Sequence, residues 1–156
     1  MEVEGAYTIR PARGDEAAAI SSLALRSKAY WPYTDEQLEI FRAELTLSAH
    51  DLERGRSHVV EHRDTPVGFY TLGELSPTRI ELDHLFIDPE HLRRKLGHAL
   101  FEHATALARA CGFREMVIQS DPNAAGFYRE LGAAFVRDTP SSIPGRTLPL
   151  FHYALS

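Results

Sequence analysis

The sequence predicts an α/β fold on a mixed sheet, in the order β-α-α-β-β-β-α-β-α-β-β. Three observations carry this. Strand-like and helix-like segments alternate along the chain with no repeat, linker or low-complexity tract. A strand-like segment over residues 81–88 stops at Pro89, and a long helical pattern follows it to Cys111-Gly112, a normal helix stop. A second apolar run, Met116-Val117-Ile118, is halted by Ser120-Asp121-Pro122-Asn123, where Asp and Pro suit the cap and first turn of another helix.

Taken in order, Tyr7-Thr8-Ile9-Arg10-Pro11 reads as the first strand. A helix begins at Asp15 and runs through Ile20 and Leu23 to about Lys28. The segment Ala29-Tyr30-Trp31-Pro32-Tyr33 interrupts it, and Thr34 then caps a second helix over residues 35–41. Segments 57–62 and 67–72 form a hairpin across Arg63-Asp64-Thr65-Pro66. The strand of Glu81 follows. The helix after it opens near Glu90, and Leu96, Leu100, Ala104, Leu107 and Cys111 mark its packing face. The strand of Met116 and the helix of Tyr128 come next, and two strands over residues 134–137 and 148–154 close the chain.

With 156 residues the chain is long enough to bury a core, and one domain over residues 1–156 is expected. Hydrophobic residues make up 44% and charged residues 25%, ordinary for a globular protein. A formal net charge of −5 argues against nonspecific nucleic-acid binding. A single cysteine, Cys111, excludes an intramolecular disulfide framework and is expected to pack at a helix end. No apolar run is long enough to span a membrane, and no signal-peptide core is seen, so a cytoplasmic location is the default. The eight histidines do not form a metal pattern: His58 and His62 share a strand face, but no Cys or carboxylate set completes them. No metal is expected.

Against the acidic background, Arg93-Arg94-Lys95 stands out as a basic loop leading into a helix N-terminus. Unpaired N–H groups and the helix dipole favour phosphate there. A solvated basic helix start is the plainer reading of the same residues. Asn123 and Tyr128 sit five apart at the second strand-to-helix junction, where a core-packed Tyr is the plainer reading.

Taken together, residues 79–133 resemble the GNAT superfamily of acyl-CoA N-acyltransferases, in particular its small, bacterial-type, single-domain members. The resemblance implies a GNAT-type, mostly antiparallel sheet with helices on both faces. It makes the basic loop the pyrophosphate loop of acetyl-CoA, with the pattern Gln/Arg-x-x-Gly-x-Gly/Ala. Without gaps the pattern falls on Leu92-Arg93-Arg94-Lys95-Leu96-Gly97, so Gly97 matches while Leu92 and Lys95 depart. Shifted by two, it falls on Arg94-x-x-Gly97-x-Ala99. Losing a glycine removes an easy positive φ, and the three cations offset this by attracting phosphate.

The resemblance also implies residue roles. Coenzyme A would be held by Leu85, Phe86 and Ile87 on the strand, by Arg93, Arg94, Lys95, Leu96, Gly97, His98 and Ala99 in the loop, and by Asn123 and Phe127. Backbone N–H groups of the strand holding residues 81–87 would polarise the thioester carbonyl, and Tyr128 would protonate the leaving thiolate. Glu81 stands where the histone-acetylating branch keeps its base. Its neighbour Asp83 shares its strand face, while His84 faces the other way and has the ordinary pKa nearest neutrality. Glu81 and His84 rank as near equals for the base, with Asp83 third and a water chain as a further route. The acceptor would lie against Tyr30 and Trp31 and against Arg146 in the last loop. For the aromatic cluster, core packing is the plainer and slightly favoured reading.

The leading expectation is an acetyl-CoA-dependent N-acetyltransferase. Acetyl-CoA would be its cosubstrate, and the acceptor would be a primary amine of a small molecule or protein that attacks directly in a ternary complex. A non-catalytic acyl-CoA-binding or regulatory domain is the alternative, and a protein-interaction module the third. Nucleic acid and membrane are not expected as partners; pairing as a homodimer is left open.

Overall fold

The computed structural model describes residues 2–3, 6–54, 56–92 and 95–156. The strands are β1 (Glu2–Val3), β2 (Tyr7–Pro11), β3 (Arg56–His62), β4 (Thr65–Glu74), β5 (Arg79–Ile87), β6 (Glu115–Gln119), β7 (Ala134–Pro140) and β8 (Thr147–Ala154). The helices are α1 (Ala17–Ala29), α2 (Asp35–Leu45), α3 (Ala49–Arg54), α4 (Leu96–Ala110) and α5 (Ala125–Glu130). Strand neighbours follow the order β1-β2-β3-β4-β5-β6-β8-β7. β5 and β6 pair in parallel, with Glu81 opposite Val117, which requires a crossover connection, and α4 provides it. The expected α/β fold with a mixed sheet is present.

The chain forms two compact units, Met1–Thr71 with His84–Glu102 and Leu72–Asp83 with His103–Ser156. In the first unit, β2 and β3 are antiparallel, with Ile9 opposite Val60. Ile9, Val59 and Val60 are buried, as are Ile20, Leu23 and Phe41; Val59 and Val60, adjacent on β3, face opposite sides of the sheet, so both faces are covered. The Arg10 guanidinium grips Glu16 with two bonds of 2.9 and 2.6 Å and reaches Glu61 at 2.8 Å. This pairing holds the largely buried Glu16 carboxyl below its ordinary range despite burial. Thr34 caps α2 as expected: its hydroxyl accepts from Gln37 N–H at 3.1 Å while the Gln37 side chain returns a bond to Thr34 N–H at 3.0 Å. The hairpin turn is tighter than expected. Arg63 and Asp64 both take positive φ, 51° and 66°, and β4 starts at Thr65, as in a two-residue turn that matches strand twist.

In the second unit, β6 pairs antiparallel with β8, and β8 with β7. Ile80, Leu82, Met116, Ile118 and Phe151 form its core. The C-terminal part of α4 stops at Gly112, whose φ of 92° lets Phe113 N–H bond back to Ala108 O at 3.1 Å.

Two expectations need correction, and two short elements add to the expected order. The helix expected from Glu90 starts six residues later, because Leu92 is extended and Lys95 has φ 58°; only a single turn, Pro89–His91, precedes them. The packing face of α4 is drawn by Leu96, Leu100, Phe101, Ala104 and Ala108, and Cys111 at its end is exposed rather than packed. The short α3 was not anticipated, although Ser48 and Asp51 form reciprocal bonds of 2.8 and 3.1 Å, and the Ser-x-x-Asp spacing is a cap signal. β1 was likewise not anticipated.

Candidate functional site

In the first unit, β5 delivers its end to a capped turn. Asp88 N–H bonds Val67 O at 2.8 Å, and its carboxylate accepts from Glu90 N–H at 3.1 Å and from Arg26 of α1 at 2.8 Å. Burial alone would raise the Asp88 carboxyl. The bonds from Arg26 and Glu90 and the charges of Arg26 and His91 outweigh this and hold it below its ordinary value. Just upstream, Ile87 is buried, while Leu85 and Phe86 are half-buried.

Arg93 and Arg94 lie outside the described residues. Lys95 is described, and its left-handed φ of 58° is the conformation a glycine would take most easily. Ala99 N–H to Lys95 O, at 3.1 Å, is the first helical bond of α4. The N–H groups of Leu96, Gly97 and His98 therefore precede the helix ladder, where the dipole favours anions.

His84 is half-buried between aromatic rings, with Phe69 at 6.1 Å and Phe86 at 6.2 Å, and its Nδ1 lies 2.6 Å from the Thr71 hydroxyl. Loss of water lowers its pKa to about 4, with Lys28 acting in the same direction and Asp51 opposing. The expectation that His84 titrates nearest neutrality therefore fails: it is a neutral imidazole there and a weak proton acceptor.

The aromatic corner between α1 and α2 is also not what core packing would give. Tyr30 is 54% exposed and Trp31 37%, with their rings edge to face at 5.1 Å. Only Tyr33 packs inward, on Phe41, with the Lys28 ammonium over both rings.

In the second unit, Glu81 and Asp83 stand together on β5. Part of Asp83 is open to solvent, yet its pKa is pushed up to about 7, first by loss of water and then by the hydrogen bond and charge of Glu81. Its Oδ2 lies where a side chain on Gly73 of β4 would sit: a Cβ there would come within 2.5 Å of it. Sequence reasoning missed Gly73, though a glycine inside a strand is a signal of close approach.

At the junction of β6 and α5, Asp121 organises the turn. Its Oδ1 accepts from Asn123 N–H at 2.8 Å and from the Asn123 side-chain amide at 3.0 Å, and its Oδ2 lies 3.4 Å from Arg146. Arg146 also donates to the Ser141 hydroxyl at 3.2 Å, so the last loop is tied to this turn. Tyr128 is buried against Phe127 and Phe151, with ring distances of 5.1 and 6.1 Å. Burial and then the Asp121 charge push its hydroxyl well above the ordinary tyrosine value. The Tyr128 hydroxyl therefore keeps its proton at neutral pH.

Among the described residues no three His, Cys, Asp or Glu side chains gather as a metal site. His58 bonds the Tyr70 hydroxyl at 3.2 Å, and the His62 ring lies tilted against Tyr7 at 4.7 Å. Among the described residues, no helix is long and apolar enough to cross a membrane.

Comparison with known proteins adds to this geometry. The model of the acetyltransferase (GNAT) family matches residues 19–133, a segment that runs through both units. The chain is 28% identical over 153 residues to peptidyl-lysine N-acetyltransferase YjaB of Escherichia coli, covering 94% of this chain and 95% of that one. It is 33% identical over 93 residues to the protein of the same name in Salmonella typhimurium, an alignment spanning 60% of this chain and 59% of the relative. Among solved structures it resembles the PaiA N-acetyltransferase of Thermoplasma acidophilum in complex with coenzyme A. The TM-score is 0.82 at 19% identity, over 95% of this chain and 98% of that one.

Proposed function

Because the chain belongs to the acetyltransferase (GNAT) family and is an N-acetyltransferase, we propose that it moves the acetyl group of acetyl-CoA to the primary amine of a lysine side chain in a protein. The observation that carries the cosubstrate reading is Lys95. The loop before α4 keeps a left-handed residue, at φ 58°, at the position of the family's first loop glycine. That geometry supports the ungapped reading of Leu92-Arg93-Arg94-Lys95-Leu96-Gly97. In this reading the pyrophosphate lies on the N–H groups of Leu96, Gly97 and His98, with the basic side chains adding charge. Leu85 and Phe86, half-buried in the first unit, and Asn123 and Phe127, in the second, are the family-position candidates for holding the rest of coenzyme A.

The chemistry then runs by direct attack. The amine nitrogen forms a bond to the thioester carbonyl carbon as the carbon–sulfur bond breaks. One proton leaves the nitrogen for a carboxylate on β5, where Glu81 is the family-position candidate. The thiolate takes a proton from Tyr128, which solvent then restores. Its low proton affinity argues against His84 as the base. The acceptor lysine fits the relatives' names and the exposed Tyr30–Trp31 pair, since an exposed aromatic face accommodates an alkylammonium.

The test is acetyl-CoA with a lysine-bearing peptide and with its lysine-free counterpart, read by thiol release and mass. Thiol release with acetylation of the lysine peptide alone is expected, and Tyr128→Phe should lower turnover roughly ten- to a thousand-fold with little change in acetyl-CoA affinity. Acetylation of small amines only would move the acceptor class. Full turnover in Tyr128→Phe would make that side chain structural.

A further inference from the structure

Gly73 has no side chain at the point where Asp83 needs room. A Cβ there would meet Asp83 Oδ2 at 2.5 Å and its Cγ at 3.4 Å, and no other atom as closely. The space left open is occupied by the Asp83 carboxyl, two residues from Glu81 on the same face of β5. We propose that Glu81 and Asp83 act as one proton-accepting pair in acetyl transfer, and that Gly73 is the positioning residue that holds Asp83 against Glu81. This rests on the acetyltransferase reading above.

Two carboxyls on neighbouring positions of one strand face cannot both ionise without cost, so the pair holds on to one proton longer than an isolated carboxyl would. The pair gives up that proton only near neutrality, where Asp83 is pushed up to about 7. Above that pH the pair carries two negative charges, and it takes the amine proton to return to the singly protonated form. A lone carboxylate of ordinary pKa is a weaker acceptor by comparison.

The surroundings add little to compete with this coupling. β4 places uncharged Gly73 against Asp83, with Glu74 next along the strand. β6 places Val117 opposite Glu81, and its nearest charge, Glu115, is paired with Arg79 at 3.2 Å. Among the described residues, Glu81 is the charged group that moves the Asp83 pKa appreciably.

The experiment uses Gly73→Ala, Glu81→Gln and Asp83→Asn in the full chain. Because the added methyl meets the free end of a side chain rather than backbone, Gly73→Ala should fold; circular dichroism and melting check this. Carboxyl carbon NMR of the free enzyme follows Asp83 directly, and kcat/KM against pH follows the reaction. Asp83 should titrate near 7 in the wild type and at least one pH unit lower in both Gly73→Ala and Glu81→Gln. The acid limb of kcat/KM should move down with it, and Asp83→Asn should remove that limb from the neutral range. A purely structural Gly73 would lower the melting temperature and leave the limb in place. If wild-type Asp83 titrates as an ordinary carboxyl, or if its titration moves while the limb stays, the pair is not the base and acetyl transfer itself still stands. If the wild type transfers no acetyl group at any pH, the acetyltransferase reading falls and the proposal with it. Should Gly73→Ala fail to fold, Glu81→Gln decides by the same two readings.

Discussion

Arg146 lies 3.4 Å from Asp121, and both side chains are mostly shielded from solvent, at 15% and 13% exposure. This pair joins the loop between β7 and β8 to the turn that presents Asn123, so Arg146 is already occupied by a protein carboxylate. Arg146→Ala should therefore act on more than an acceptor. It should destabilise the fold by about 1 to 3 kcal/mol, because Asp121 loses a partner while half-buried. Urea melts at neutral pH measure this. A wild-type midpoint with a raised KM for the amine alone would instead return Arg146 to substrate recognition.

Lys95 holds a left-handed backbone that costs a side-chain-bearing residue about 1 kcal/mol or more. Lys95→Gly should relieve that cost, offset in part by the freer unfolded chain. Stability should stay level or rise, while acetyl-CoA affinity falls modestly and loses some of its salt dependence through the missing cation. Lys95→Val, β-branched at the same φ, should weaken both stability and binding. Titration calorimetry at two salt concentrations, with melting curves, tests the set. Strong loss of stability in Lys95→Gly would mean that the side chain, not the turn, is what the loop needs.

Trp31 is exposed, so truncating it should not open a core cavity. Trp31→Ala should melt within about 0.5 kcal/mol of the wild type, the usual range for surface changes. The KM for a peptide acceptor should rise while that for acetyl-CoA holds. Unchanged acceptor kinetics would remove the aromatic corner from recognition.

His84 gives the fold a pH dependence whose sign follows from its lowered folded pKa. Unfolded, it protonates below its ordinary 6.5; folded, it stays neutral down to about 4. The unfolded chain therefore binds the extra proton between these values. Stability is full above 6.5 and is lost as pH falls toward 4, by an amount on the order of 1 to 3 kcal/mol. Urea unfolding at pH 7.5 and 5 should show this slope, and His84→Asn should flatten it. An equal slope in the variant would assign the loss to other groups.

Apart from β1 and α3, the order of strands and helices was legible from local chemistry. Pro89, Gly112, Thr34 and the Asp121-Pro122 cap each act within a few residues, through missing N–H groups, positive φ or side-chain caps. For the same reason Tyr128, Asn123 and the basic loop could be located in the sequence, since their spacing to those signals is short. Family resemblance supplied their expected roles. What only tertiary structure decided was each group's proton affinity and exposure. His84 and Asp83 are adjacent in sequence, yet loss of water drives their pKa values in opposite directions, to about 4 and about 7, because one is neutral when deprotonated and the other is charged. The exposure of Tyr30 and Trp31 and the open place at Gly73 likewise depend on which segments pack against them. Those contacts come from residues distant in the chain, and no local pattern records them.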